Sequence, residues 1–117
     1  MLGVKRGYVS NVRTVEYCVP EVMEVVHIIW PERSRSKKHN HGKSYGFTSV
    51  LKGEVYVIEN GIYTIRRAGS TFTENPDTVH MVGSVYGAET LHFYTPPVTG
   101  TMTIFPDEKE EKDFDYE

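Results

Sequence analysis

Short β-type runs, each closed by a turn former roughly every 8–12 residues, fill this chain. No segment sustains a 3.6-residue apolar period over three turns. Runs rich in Val, Ile, Tyr and Thr predict strands over 11–17, 22–30, 46–52, 54–59, 62–67, 79–83, 88–95 and 101–105. Pro31 stops the second of them, and Pro96-Pro97 ends the seventh. Asn60-Gly61 stands between Val-Tyr-Val-Ile-Glu and Ile-Tyr-Thr-Ile-Arg. Both turn residues tolerate positive φ, so this is a two-residue hairpin signal. The expected fold is all-β, a small sandwich or barrel.

Length and composition set the outer bounds. A chain of 117 residues is expected to form one domain. That domain is placed at 1–105. Residues 106–117 form an acidic tail with only Phe114 and Tyr116 to bury, and it is expected to be mobile. No apolar run approaches the roughly 18 residues of a membrane span, and residues 1–7 lack a signal-type apolar region. Cys18 is the lone cysteine, so no internal disulfide can form. These features favour a soluble cytoplasmic protein with no membrane partner, monomeric or homodimeric. The net charge of −3 argues against a general nucleic-acid binder.

The charge is uneven. Residues 106–117 hold seven acids and two lysines, a net of −5, which leaves +2 for the rest of the chain. Residues 32–43 hold five cations against Glu32, a net of +4. Such a run serves as a solvated loop or as a positive approach that draws in small anions.

Two histidines, His39 and His41, lie at the end of that basic run. On a strand, residues i and i+2 share a face, so two imidazoles here can hold one metal ion. The same spacing also arises by chance on a polar strand, and further ligands decide between the two. His80 follows the Pro76-Asp77 turn and is the candidate third ligand. Three neutral ligands on one side of a metal leave the other side open for substrate. His27, inside the most apolar strand, reads as a structural histidine. Thr90, His92 and Tyr94 alternate with Leu91 and Phe93, so the three polar groups share a face. They form either a hydrogen-bonded row or the polar outer face of an edge strand.

At these positions the chain resembles the cysteine dioxygenases, a branch of the cupin superfamily that oxidises thiols with Fe(II) and O2. His39-Asn-His41-Gly-Lys-Ser44, with Gly53 after the next strand, is similar to the family's His-Asp-His-x-x-Ser pattern. Thr90-Leu-His92-Phe-Tyr94-Thr-Pro-Pro97 is similar to its Ser-Leu-His-Leu-Tyr-Ser-Pro-Pro. Trp30 stands nine residues before His39, as a tryptophan does in the family, and Arg13 falls seventeen residues before Trp30, where the family keeps its substrate-carboxylate arginine. The resemblance covers roughly residues 11–97. It implies a small cupin barrel, the double-stranded β-helix or jelly roll. It further implies His39, His41 and His80 as ligands to Fe(II), with Ni or Zn able to take its place. Arg13 and Tyr94 would bind the substrate, and Thr90, His92 and Tyr94 would form the catalytic network. Partners would be a small thiol and O2, with L-cysteine going to cysteine sulfinic acid.

Some features depart from the family. Only twelve residues precede Arg13, where the family carries several dozen. Gly46 stands where animal members have a cysteine crosslinked to the tyrosine, so no thioether to Tyr94 can form; bacterial members often have glycine there. Asn40 replaces the usual aspartate, and the general cupin glutamate after the histidine pair is absent, which favours three-histidine ligation. Cys18 lies outside these motifs and is expected to be a buried small residue. The alternatives are a dioxygenase for 3-mercaptopropionate or cysteamine, another metal-dependent cupin, or a non-enzymatic ligand- or metal-binding one.

Overall fold

A computed structural model describes residues 13–98 and the strand Thr103–Ile104. Among the described residues there are ten strands. These are β1 (Arg13–Val19), β2 (Met23–Trp30), β3 (Ser34–Arg35), β4 (His39–Asn40), β5 (Tyr45–Glu59), β6 (Ile62–Arg67), β7 (Thr71–Glu74), β8 (His80–Ser84), β9 (Ala88–Thr95) and β10 (Thr103–Ile104). All pairings are antiparallel, in the order β1-β2-β9-β5-β8-β4-β10, with β6 and β7 also on β5 and β3 on β8. Among the described residues no helix is long and apolar enough to cross a membrane.

β5 joins the two halves of the barrel. Its first part pairs with β9 and β7, and its second with β6 and β8. The sequence predicted two strands here, at 46–52 and 54–59. The structure corrects this to one strand of 15 residues. Gly53 marks a bend rather than a break, at φ +70, beside a register shift between Val50 and Lys52. A Cβ at position 53 would run into the Gly87 carbonyl, so only glycine lets the strand turn the corner there. The Asn60-Gly61 hairpin forms as predicted, with both residues at positive φ and Glu59 opposite Ile62. The predicted 11–17 strand is β1, beginning among the described residues at Arg13. β3, β4 and β7 were not predicted; each has four residues or fewer, in polar surroundings. The acidic tail lies outside the described residues.

Register places the inward-facing residues in rows across the strands. Glu24, Tyr94, Gly46 and Glu74 form one row over β2, β9, β5 and β7. Val26, His92, Thr48 and Phe72 form the next, and Arg13, Ile28, Thr90 and Val50 the one after. The core is built of Val15, Val26, Ile28, Trp30, Val50, Val55, Val57, Phe72, Val82, Ala88 and Val98. Its packing sets a dry wall around the polar members of these rows. Cys18 was expected to be buried; it is partly exposed and packs against the edge of this core. His27 faces the other side of β2 and pairs with Glu89 at 2.7 Å, a structural role as expected.

Candidate metal centre

The chain enters the site through a tight loop. Asn40 Oδ1 accepts the Gly42 N–H at 3.0 Å, an Asx turn that Gly42 completes at φ +66. The His41 N–H donates to the Pro76 carbonyl at 3.1 Å, tying the loop to the segment before β8. The loop turns both rings the same way although β4 ends at Asn40. His39 and His41 stack with centroids 5.0 Å apart, and His39 lies opposite His80 across the β4–β8 pair.

The three rings converge. His80 Nε2 lies 3.1 Å from His39 Nε2 and 3.3 Å from His41 Nε2. One ligand atom from each of the three buried residues lies within 4.8 Å of the others, a group able to hold a metal ion. Nitrogens bound to a metal at about 2.0–2.1 Å sit about this far apart. The His39 Nδ1–H donates to the Lys37 carbonyl at 2.7 Å, so Nε2 keeps its lone pair for a metal. Burial lowers His39 to about 4 and His41 to about 3, and pushes His80 well below its usual value. All three are therefore neutral near pH 7 and have no proton to lose on binding a cation.

A second polar system leads towards these rings. Trp30 Nε1–H donates to Thr90 Oγ1 at 2.9 Å, and Thr90 Oγ1 lies 2.7 Å from His92 Nε2. His92 Nδ1 lies 2.9 Å from Thr48 Oγ1 and 3.2 Å from the Tyr94 hydroxyl. Thr90 Oγ1 accepts from the donor-only indole and so donates its own O–H to Nε2, which leaves the Nδ1–H to donate to the Thr48 and Tyr94 oxygens. Burial first, then the Arg13 charge, lowers His92 to about 3, so it stays neutral. The edge-strand alternative does not hold, because β9 lies between β2 and β5 and Thr90, His92 and Tyr94 are all buried. The Tyr94 ring packs edge-on against His41, centroids 5.2 Å apart. Arg13 is buried as well, and its charge reaches His39, His41 and His92 and lowers all three.

Sequence reading missed Glu74. The carboxylate is 5% exposed, with Oε1 3.7 Å from His41 Nδ1 and Oε2 3.9 Å from His80 Nε2. Tyr94 and Thr48 hydrogen-bond it, but burial dominates and raises its pKa to about 8. The available signal was the Thr71-Phe-Thr-Glu74 alternation, which puts Phe72 and Glu74 on one face.

No family model and no curated protein matches the sequence. Solved structures match the fold. An uncharacterized conserved protein with a double-stranded β-helix domain from Klebsiella pneumoniae has a TM-score of 0.72 at 19% identity, over 82% of this chain and 84% of that one. An RmlC-like cupin from Shewanella frigidimarina has a TM-score of 0.65 at 20% identity, over 72% and 74%. The fold is that of the cupins. KdgF from Halomonas sp. is similar in the same way, with a TM-score of 0.66 at 16% identity over 72% and 78%. At these identities the likeness is one of fold. This barrel brings together three histidines, a Thr-His-Tyr chain, a buried arginine and a buried glutamate.

Proposed function

We propose that this cupin is an Fe(II)-dependent thiol dioxygenase that oxidises a small thiol carboxylate, L-cysteine first, to its sulfinic acid. Both atoms of O2 enter the product, so RSH and O2 give RSO2H with no other reactant. The observation that supports this reading is that His39, His41 and His80 converge through their Nε2 atoms, while the Thr90-His92-Tyr94 chain ends on a ring packed against His41. The donor set accepts iron, since imidazole nitrogens suit Fe as they do Zn, Cu and Ni. Fe(II) held there by His39, His41 and His80 would bind the thiol as thiolate and activate O2.

The chain's own residues supply the rest. Arg13 offers a fixed guanidinium fork for the substrate carboxylate. Its burial strengthens that pairing, because little water competes with it. Tyr94, oriented by His92, presents a hydroxyl beside His41 to hydrogen-bond the bound reactants. Thr90 and Trp30 fix the His92 tautomer behind it. The valine-rich wall keeps bulk water away from the sulfur.

A second reading, another metal-dependent cupin reaction, is favoured by one observation: Glu74 brings a carboxylate next to the histidines, where it could serve as a general base. Oxygen consumption separates the two. Fe(II)-loaded protein is incubated in air with L-cysteine, 3-mercaptopropionate and cysteamine, following dissolved O2 and sulfinate. Uptake with a carboxylate-bearing thiol supports the dioxygenase. No uptake with any of the three leaves the second reading in its place.

A further inference from the structure

Glu74 is a buried carboxylate whose Oε1 has no hydrogen-bond partner. Such an atom costs free energy unless something arrives to satisfy it. It faces His41 Nδ1 at 3.7 Å, the nitrogen on the far side of the ring from the converging Nε2 atoms. The space it occupies exists because position 46 carries no side chain. Gly46 lies directly opposite Glu74 in the β5–β7 pair, and a Cβ there would stand 2.6 Å from Oε1. The carboxylate is held on its other side by the Tyr94 and Thr48 hydroxyls.

We propose that Glu74 is the positioning carboxylate of the metal centre: when a divalent cation binds the Nε2 atoms, Oε1 accepts the His41 Nδ1–H. The inference rests on the three-histidine metal site and adds a member that no sequence motif supplied. The movement required is under one ångström, from 3.7 Å to the 2.8 Å or so of a charge-assisted hydrogen bond. Accepting that proton fixes the His41 tautomer and makes its Nε2 a better donor. As the cation binds, Glu74 gives up its proton to solvent, and the carboxylate then brings one negative charge to a site whose three ligands are neutral and whose nearby Arg13 is positive. The cation in turn gives the buried carboxylate the compensation it otherwise lacks. Gly46 is part of the device, since any side chain there displaces the carboxylate from His41. Glu74 therefore acts through His41, and its loss weakens the metal centre without deleting a ligand.

The test is metal affinity, measured by chelator competition with Zn(II) and, anaerobically, Fe(II). The proteins are the full chain, Glu74→Gln, Gly46→Ala, the double variant and His80→Ala. Thermal melts of the metal-free forms control for folding. Glu74→Gln keeps size and hydrogen-bonding capacity but not charge, and should bind about 10–100-fold more weakly. Gly46→Ala should weaken binding similarly, and the double variant should lose no more than the worse single one. His80→Ala should lose far more. Proton NMR of the Zn(II)-loaded parent should show a slowly exchanging His41 Nδ1–H, lost in Glu74→Gln. A parent that binds tightly while folded Glu74→Gln binds within twofold overturns the role of Glu74 alone. A fast-exchanging His41 Nδ1–H in the loaded parent overturns it too, even if both variants fail to fold. A parent that binds neither metal overturns the metal site and this inference together.

Discussion

Gly46 and Glu74 exclude each other's side chains: a Cβ at 46 would lie 2.6 Å from Glu74 Oε1 and 2.7 Å from Tyr94 Cε1. The glycine is therefore a space, shared by a carboxylate from β7 and a phenol from β9. Filling that space should destabilise the metal-free protein. Gly46→Ala is expected to cost about 1–3 kcal/mol, the usual range for overpacking. Trimming the neighbour in Glu74→Ala/Gly46→Ala should recover part of that loss. A double-mutant cycle by urea denaturation checks this, and additive losses would mean that the two positions do not share the space.

The pH dependence of stability follows from the buried titrating groups. In the metal-free fold, burial holds His39 at about 4, His41 and His92 at about 3, and His80 well below its usual value. The unfolded chain protonates these four near 6.5. Below pH 6.5 it therefore binds more protons than the fold, and stability should fall steeply with acid. Glu74 works the other way, being raised by burial from 4.5 to about 8. From pH 4.5 to 8 the fold holds a proton there that the unfolded chain has released. Between 4.5 and about 7 the four histidines outweigh one glutamate; from about 7 to 8 Glu74 dominates and stability should decline gently. Each unmatched proton contributes about 1.4 kcal/mol per pH unit. Urea midpoints should peak at about pH 7, and a profile level from pH 5 to 8 would contradict this assignment.

Tyr94→Phe should preserve the fold, because the ring keeps its packing against His41. It removes the hydroxyl that lies 3.2 Å from His92 Nδ1. Thiol oxidation should drop by about 10²–10⁴-fold, typical of a positioned acid–base group. His92→Ala should cost a similar amount, and the pair less than the sum. Full turnover in Tyr94→Phe would make the Thr90-His92-Tyr94 row structural.

Arg13→Ala should raise KM for L-cysteine while iron content stays normal, because the arginine is assigned to the substrate carboxylate. Cysteamine, which has no carboxylate, should be much less affected. Equal losses for both thiols would place the role of Arg13 in the fold or at the metal. An untouched cysteine KM would move the assignment to another cation, with Arg33 and Arg35 next.

Much of this architecture was legible because it is written locally. Alternating runs gave β2, β6, β8 and β9 close to their observed limits, and Asn60-Gly61 gave the hairpin. The spacing of His39 and His41 put them on one face, and His80, after its turn, joined them as third ligand through the family resemblance. What could not be read depends on distant parts of the chain. Gly53 looked like a strand end because a turn and a bend use the same residue; only the Gly87 backbone against it tells them apart. β4 and β7 are too short to carry a periodic signal and are set by their partners. Glu74 was missed for that reason, since its place beside His41 depends on register with Gly46, 28 positions earlier in the sequence.

Thiol dioxygenase activity is measured most directly as turnover of L-cysteine by Fe(II)-loaded protein under 18O2, with product mass read by mass spectrometry. The product should be cysteine sulfinic acid carrying two 18O atoms, with one O2 consumed per product, and His80→Ala should lose both iron and turnover. Iron bound at one per chain, with cysteine, 3-mercaptopropionate and cysteamine all left unoxidised, would contradict it.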